Sequence, residues 1–202
     1  MISRDHRMLG ELLAQHMIKN TSPLASRLFV TGCVFPDHNP LTYFRGLCIG
    51  HPFKTHFLFL SHTEIMRLSK KLENRKKLYI WDYYTLGVLL HYVADAFTFP
   101  HNEHYTESML EHARYESHEL HPAFEQYLTG EFSIEMYNAD NVRDIESAFW
   151  ELHDSYMEAE PAPLCDSRYI CQICATICAV ILEKENITYT ESSKEKEGYV
   201  RI

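Results

Sequence analysis

A chain of 202 residues with 46% apolar and 13% aromatic side chains is long enough for one domain with its own core, and too apolar to be disordered. Its net charge of -9 argues against the basic stripe that sequence-independent nucleic-acid binding needs, although bound divalent cations would create a locally positive pocket for a phosphate. Only 7 glycines, with apolar residues recurring at three- and four-residue spacings, favour an all-α chain, and 13 histidines are the compositional anomaly to explain.

Residues 4–19 read as a charged amphipathic helix with His6, Leu9, Leu13 and Met17 facing inward. They lack the apolar stretch of a secretory leader, and no run approaches the length of a membrane span. The chain is therefore expected to be cytoplasmic, without a transmembrane segment, its six cysteines reduced. Ser22 and Pro23, a cap followed by a first-turn proline, open a short helix expected to end at Gly32. GCVFPDHNP then reads as a proline-bracketed turn holding Asp37 just beyond a buried segment.

An irregular loop is expected over 41–50 and a helix from about 52 to 72, with His51, His56 and His62 near its beginning. The basic run from Lys70 to Lys77 reads as a solvated turn. Helices follow at 78–98, about 107–128 and 142–159, the last with Ile145, Phe149, Leu152 and Tyr156 as its apolar stripe and broken by Pro161 and Pro163; a second loop covers 130–141. The final helix, roughly 166–184, carries Cys171, Cys174 and Cys178. Their i, i+3, i+7 spacing is that of a buried stripe of small residues, and no second cysteine pair completes a zinc or iron–sulfur site. Residues 1–185 are taken as the functional domain and 186–202 as a polar tail expected to be mobile.

The chemistry concentrates in 81–119. From Trp81 to Phe97 nearly every residue is apolar, which places that helix at the centre of the fold. It nevertheless carries His91 and Asp95, four apart and so on one face. A buried ionised carboxylate is costly unless something positive faces it. Past Pro100 come His101 and His104, and His112 with Glu116 repeats the four-residue spacing. Taken singly, each has a structural explanation, as a buried hydrogen-bonded pair, an exposed helix pair or a cap. Together they suit an oxygen and nitrogen metal centre.

HYVADAFTFPH at 91–101 resembles the HYxxDxxxPxH signature of the zinc-dependent phospholipase C family, which also includes zinc-dependent single-strand nucleases. HARYE at 112–116, the FPD segment at 35–37 and the N-terminal DHRMLGELL resemble further elements of that family, in the same order, over roughly residues 1–120. The resemblance implies an all-α bundle with a metal cluster in its core. It implies two or three zinc ions, with iron or manganese as substitutes. One ion would be held by Asp37, His56, His91 and Asp95, with His51 an alternative to His56; a second by His101, His112 and Glu116; a third by His6, Asp95 and the amine and carbonyl of Met1. Secreted members expose a ligating amine by losing a leader, whereas this sequence begins at Met1, which sets the third site apart from the other two.

The activity so implied is hydrolysis of a phosphoester, such as a phospholipid headgroup or a small diester. A hydroxide generated between two metals would attack phosphorus in line, with Asp37 orienting it or accepting its proton. Tyr43, Phe44, Tyr105 and Tyr115 read either as the walls of a headgroup or base pocket or as core. Alternatives are a non-catalytic metal-stabilised binding module and a single-strand nuclease; no stable nucleic-acid partner is expected. A phosphohydrolase built on a His-Asp dipeptide fits poorly, because His153-Asp154 lies far along the chain from the cluster.

Overall fold

The computed structural model describes residues 1–18, 21–38, 53–102, 105–130 and 144–198, leaving aside the side chains of 53–61 and 184–198. Every regular element among the described residues is helical. In chain order these are α1 (Ser3–Met17), α2 (Pro23–His38), α3 (Phe53–Glu73), α4 (Ile80–Ala96), a 3-10 turn at Phe99–His101, α5, α6 (Ile145–Glu158) and α7 (Pro163–Gly198). Helix α5 is one run of three stretches, Met109–Arg114, the π-helical Tyr115–Leu120 and His121–Gly130.

Helix α4 is the axis of the molecule, touching α1, α2, α3 and α7. It starts where the Asp82 carboxylate takes the backbone N–H of Tyr79 at 2.9 Å, closing the first turn. Leu86, Leu89, Val93 and Ala94 are wholly buried, so apolar side chains on all sides find cover. The cysteine stripe of α7 is buried against this core as free thiols, and Cys174 Sγ lies 3.8 Å from the Leu90 carbonyl.

The tightest crossing joins α2 to α4. A Cβ built on Gly32 would stand 2.2 Å from the Tyr84 carbonyl oxygen, and one on Gly87 would stand 2.1 Å from that of Phe29. Only glycine allows the two backbones this close. The crossing corrects one expectation. Gly32 does not end α2; it is there for the close approach, and the helix runs on through Pro36 to His38. Asp37 therefore sits in the last helical turn, not in a proline-bracketed loop. Pro36 has no N–H to give the carbonyl four residues back, but only two helical residues follow it, so it stands where the helix is about to end.

The final helix also exceeds its expected range, continuing to Gly198 through a stretch in which seven of the fifteen residues 184–198 are Glu or Lys and none is proline. Its first 21 residues, Pro163–Glu183, are long and apolar enough to cross a membrane by length and composition, contrary to expectation, although 67% of that window is buried inside the fold as in a core helix. The loop expected at 41–50 lies outside the described residues, as does that expected at 130–141 save Gly130, which ends α5.

Candidate metal centre

Two groups of ligand-type side chains converge at the heart of the bundle. His6, His91 and Asp95 form one, and His101, His112 and Glu116 the other; within each, the donor atoms lie within 4.8 Å of one another. The first is assembled by α1 and α4, the second by the 3-10 turn and α5. Pro100 supplies the fixed φ of the 3-10 turn and so aims His101. The π-helical stretch that begins at Tyr115 changes the angular spacing of α5 at Glu116.

In the first group the His6 ring stacks on His91 with centroids 4.0 Å apart, and its Nε2 lies 3.2 Å from Asp95 Oδ1. His91 Nδ1 lies 2.9 Å from the Cys33 carbonyl oxygen, which can only accept, so Nδ1 carries the hydrogen. Burial and then the neighbouring His6 lower the His91 pKa to about 4, against the pull of Asp95 and Asp37. At neutral pH, Nε2 is therefore a bare lone pair. It faces Asp95 Oδ2 at 3.4 Å and Asp37 Oδ1 at 3.5 Å. Three acceptors pointed at one another repel unless a cation lies among them.

In the second group Glu116 Oε1 lies 2.9 Å from His101 Nε2 and 3.1 Å from His112 Nε2. The Met1 amine joins the two groups, 3.0 Å from Asp95 Oδ1 and 2.6 Å from Glu116 Oε1. Burial alone would lower its pKa, but the two carboxylates outweigh that and raise it to about 11. Burial would likewise raise Asp95 and Glu116. The amine and the surrounding histidines prevail, holding both acids well below the usual carboxylate range. Burial lowers His101, which favours a neutral ring.

Of the nine residues singled out from the sequence, eight meet here: Met1, His6, Asp37, His91, Asp95, His101, His112 and Glu116. The His56 side chain, and His51 and His104 entirely, lie outside the described residues. His6 Nε2 and the Met1 amine both approach Asp95 Oδ1, at 3.2 and 3.0 Å, the three groups expected to share a third site, while the His6 ring also lies flat on that of His91.

Sequence reasoning missed Ser3, whose Oγ donates to Asp37 Oδ2 at 2.6 Å, and the Cys33 carbonyl that sets the His91 tautomer. Of the aromatics, Tyr105 is buried with its ring edge-on to both Phe99 and His112, and Tyr115 donates its hydroxyl to Asp166. Tyr43 and Phe44 lie outside the described residues. His153 stacks on Phe149 and meets Asn102 Oδ1 at 3.3 Å, while Asp154 is exposed, so this dipeptide serves the core.

The family model for zinc dependent phospholipase C matches residues 5–162. The chain belongs to that family. No curated protein and no solved structure matches it. For a zinc dependent phospholipase C the donor chemistry fits: imidazole nitrogens and carboxylate oxygens in threes, the first group buried and the second partly so, with the tautomer of His91 set from behind by a carbonyl. Family membership carries metal-dependent phosphoesterase chemistry at the level of the family, and the two groups suit zinc.

Proposed function

We propose that this chain is a zinc-dependent hydrolase of phosphodiesters, phospholipase C-like, that cuts a phospholipid or a related small diester at the Met1–Asp95–Glu116 centre. The observation that carries the reading is the His91 lone pair turned toward two carboxylates, which calls for a cation between them. His6, His91, Asp95 and Asp37 would hold one zinc, with His56 as a further ligand; His101, His112 and Glu116 would hold a second. Zinc bound there would polarise the phosphoryl oxygens and lower the pKa of a bound water to about 7.

The residues of the chain divide the remaining work. Asp37 is the most open acid of the first group, its side chain 23% exposed, and Ser3 donates to one of its oxygens. The other oxygen is thereby aimed at the His91 side, where it would take the proton of an attacking water. The Met1 ammonium, between the acids, would neutralise charge growing on the leaving oxygen if it is not itself a ligand. His91 and His101, kept neutral by burial, are ready to bind without first losing a proton. A cytosolic setting belongs to this proposal and rests on the free thiols of Cys33, Cys165, Cys171, Cys174 and Cys178.

The test is hydrolysis of a choline phospholipid, a generic phosphodiester and single-stranded DNA by the metal-loaded protein and by Asp95→Asn. Release of phosphate ester from the first two, lost in the variant, is expected. Cleavage of DNA alone would make the chain a nuclease, and tight metal binding with no hydrolysis would make it a binding module.

A further inference from the structure

Asp166 lies in the first turn of α7, four residues past the end of the matched family segment, and is fully buried. Its carboxylate does not serve its own helix. Oδ2 accepts the backbone N–H of Phe99 and the hydroxyl of Tyr115, both at 2.9 Å, and Oδ1 accepts the hydroxyl of Tyr156 at 2.9 Å. Phe99 opens the 3-10 turn that ends in His101, and Tyr115 precedes Glu116 at the start of the π-helical stretch. The Phe99 and Tyr115 rings also meet, with centroids 6.0 Å apart. One buried oxygen thus ties together the two backbone segments that supply the whole second ligand group. A buried carboxylate with three donors is held in one place, and what it holds is held with it.

We infer that Asp166 is the positioning residue of the His101–His112–Glu116 group, setting the distance between the turn that carries His101 and the helix that carries His112 and Glu116. It touches none of those ligands; it acts through Phe99 N–H and Tyr115. This inference rests on the proposed metal reading of the centre. Zinc ligands must fall within a few tenths of an ångström of their place, and outer partners of such ligands typically govern affinity by about 10- to 100-fold. Tyr156 bonds the same carboxylate from α6, which supplies none of the three ligands, and so provides an internal control.

The experiment is cobalt(II) titration of the metal-free protein followed by visible absorption, with Glu116→Gln marking which transition belongs to this group. Asp166→Asn is expected to weaken that class about tenfold or more and to leave the class of His91 and Asp95 unchanged. Tyr115→Phe should weaken it selectively as well, and more than Tyr156→Phe does. Unchanged cobalt affinity beside a lowered melting temperature would make Asp166 merely structural and overturn the inference. So would equal weakening of both classes, or a larger effect from Tyr156→Phe. Should Asp166→Asn fail to fold, the comparison of the two tyrosine variants decides by the same criteria. A wild-type chain that takes up no cobalt would defeat the metal reading and this inference together; normal uptake unaffected by Asp166→Asn would defeat this inference alone.

Discussion

Replacing Gly87 by alanine probes how the α2–α4 crossing supports the centre. The added methyl would stand 2.1 Å from the Phe29 carbonyl oxygen and 2.8 Å from the Cys33 nitrogen, both backbone atoms that cannot swing aside. Ordinary contact requires the helices to part by about 1 Å or more. Overpacking of this kind costs typically 1–3 kcal/mol, and with backbone on the receiving side we expect the upper end, about 3 kcal/mol. For a domain of this size that lowers the melting temperature by about 6–12 °C. Because α2 also brings the Cys33 carbonyl to His91 and Asp37 to the same ring, separation should weaken metal at the first group by about tenfold. Differential scanning fluorimetry, with and without zinc, reads both effects. Gly130→Ala is the control, since nothing lies within 4 Å of a Cβ at that position, and it should not lower the melting temperature. A Gly87→Ala protein that melts within 2 °C of wild type, by the same ~2–4 °C per kcal/mol conversion, and binds zinc normally would refute the reasoning.

Further outcomes follow from burial and charge. In the folded chain His91 titrates near 4 instead of its ordinary 6.5. The stability it contributes is complete above 6.5 and is lost as pH falls through 4, by about 3 kcal/mol at most. Asp95 and Glu116, held ionised in the fold, act in the same direction at lower pH. Urea midpoints of chelator-treated protein should therefore drop steeply from pH 7 to pH 4, and a flat profile would contradict the assignment of a neutral His91. Burial pushes the thiols of Cys171, Cys174 and Cys178 well up, so native protein should resist iodoacetamide there until it is unfolded. Rapid native labelling, read by mass spectrometry, would mean that α7 is not packed against α4. Phe97→Ala should cost about 3–5 kcal/mol, since the ring is wholly buried among Phe149, Tyr156 and Tyr169. A urea midpoint close to wild type would contradict that packing.

Much of this was legible in the sequence because its signals are local. The continuous apolar run of Trp81–Phe97 and the four-residue spacings of His91–Asp95 and His112–Glu116 are signals of neighbouring residues, and 3.6-residue periodicity states which of them share a face. Features that depend on contact between distant segments were not legible. Gly32 reads as a helix stop until Gly87 is seen opposite it. The joining of His6 to His91 depends on how α1 crosses α4, and the π-helical stretch at Tyr115–Leu120 leaves no mark in residue spacing. Asp166 looks like any acid in the first turn of a helix, and only its three partners from other elements distinguish it.

The central claim is that the buried acids of α4 and α5 face divalent cations. Elemental analysis of the chain purified without added metal, set beside Asp95→Asn and Glu116→Gln, tests it most directly. The account predicts about two to three equivalents of zinc or a comparable divalent metal in the wild type and fewer in each variant. A wild-type chain that is folded, stable and free of metal, and that takes up none when zinc is supplied, would contradict it.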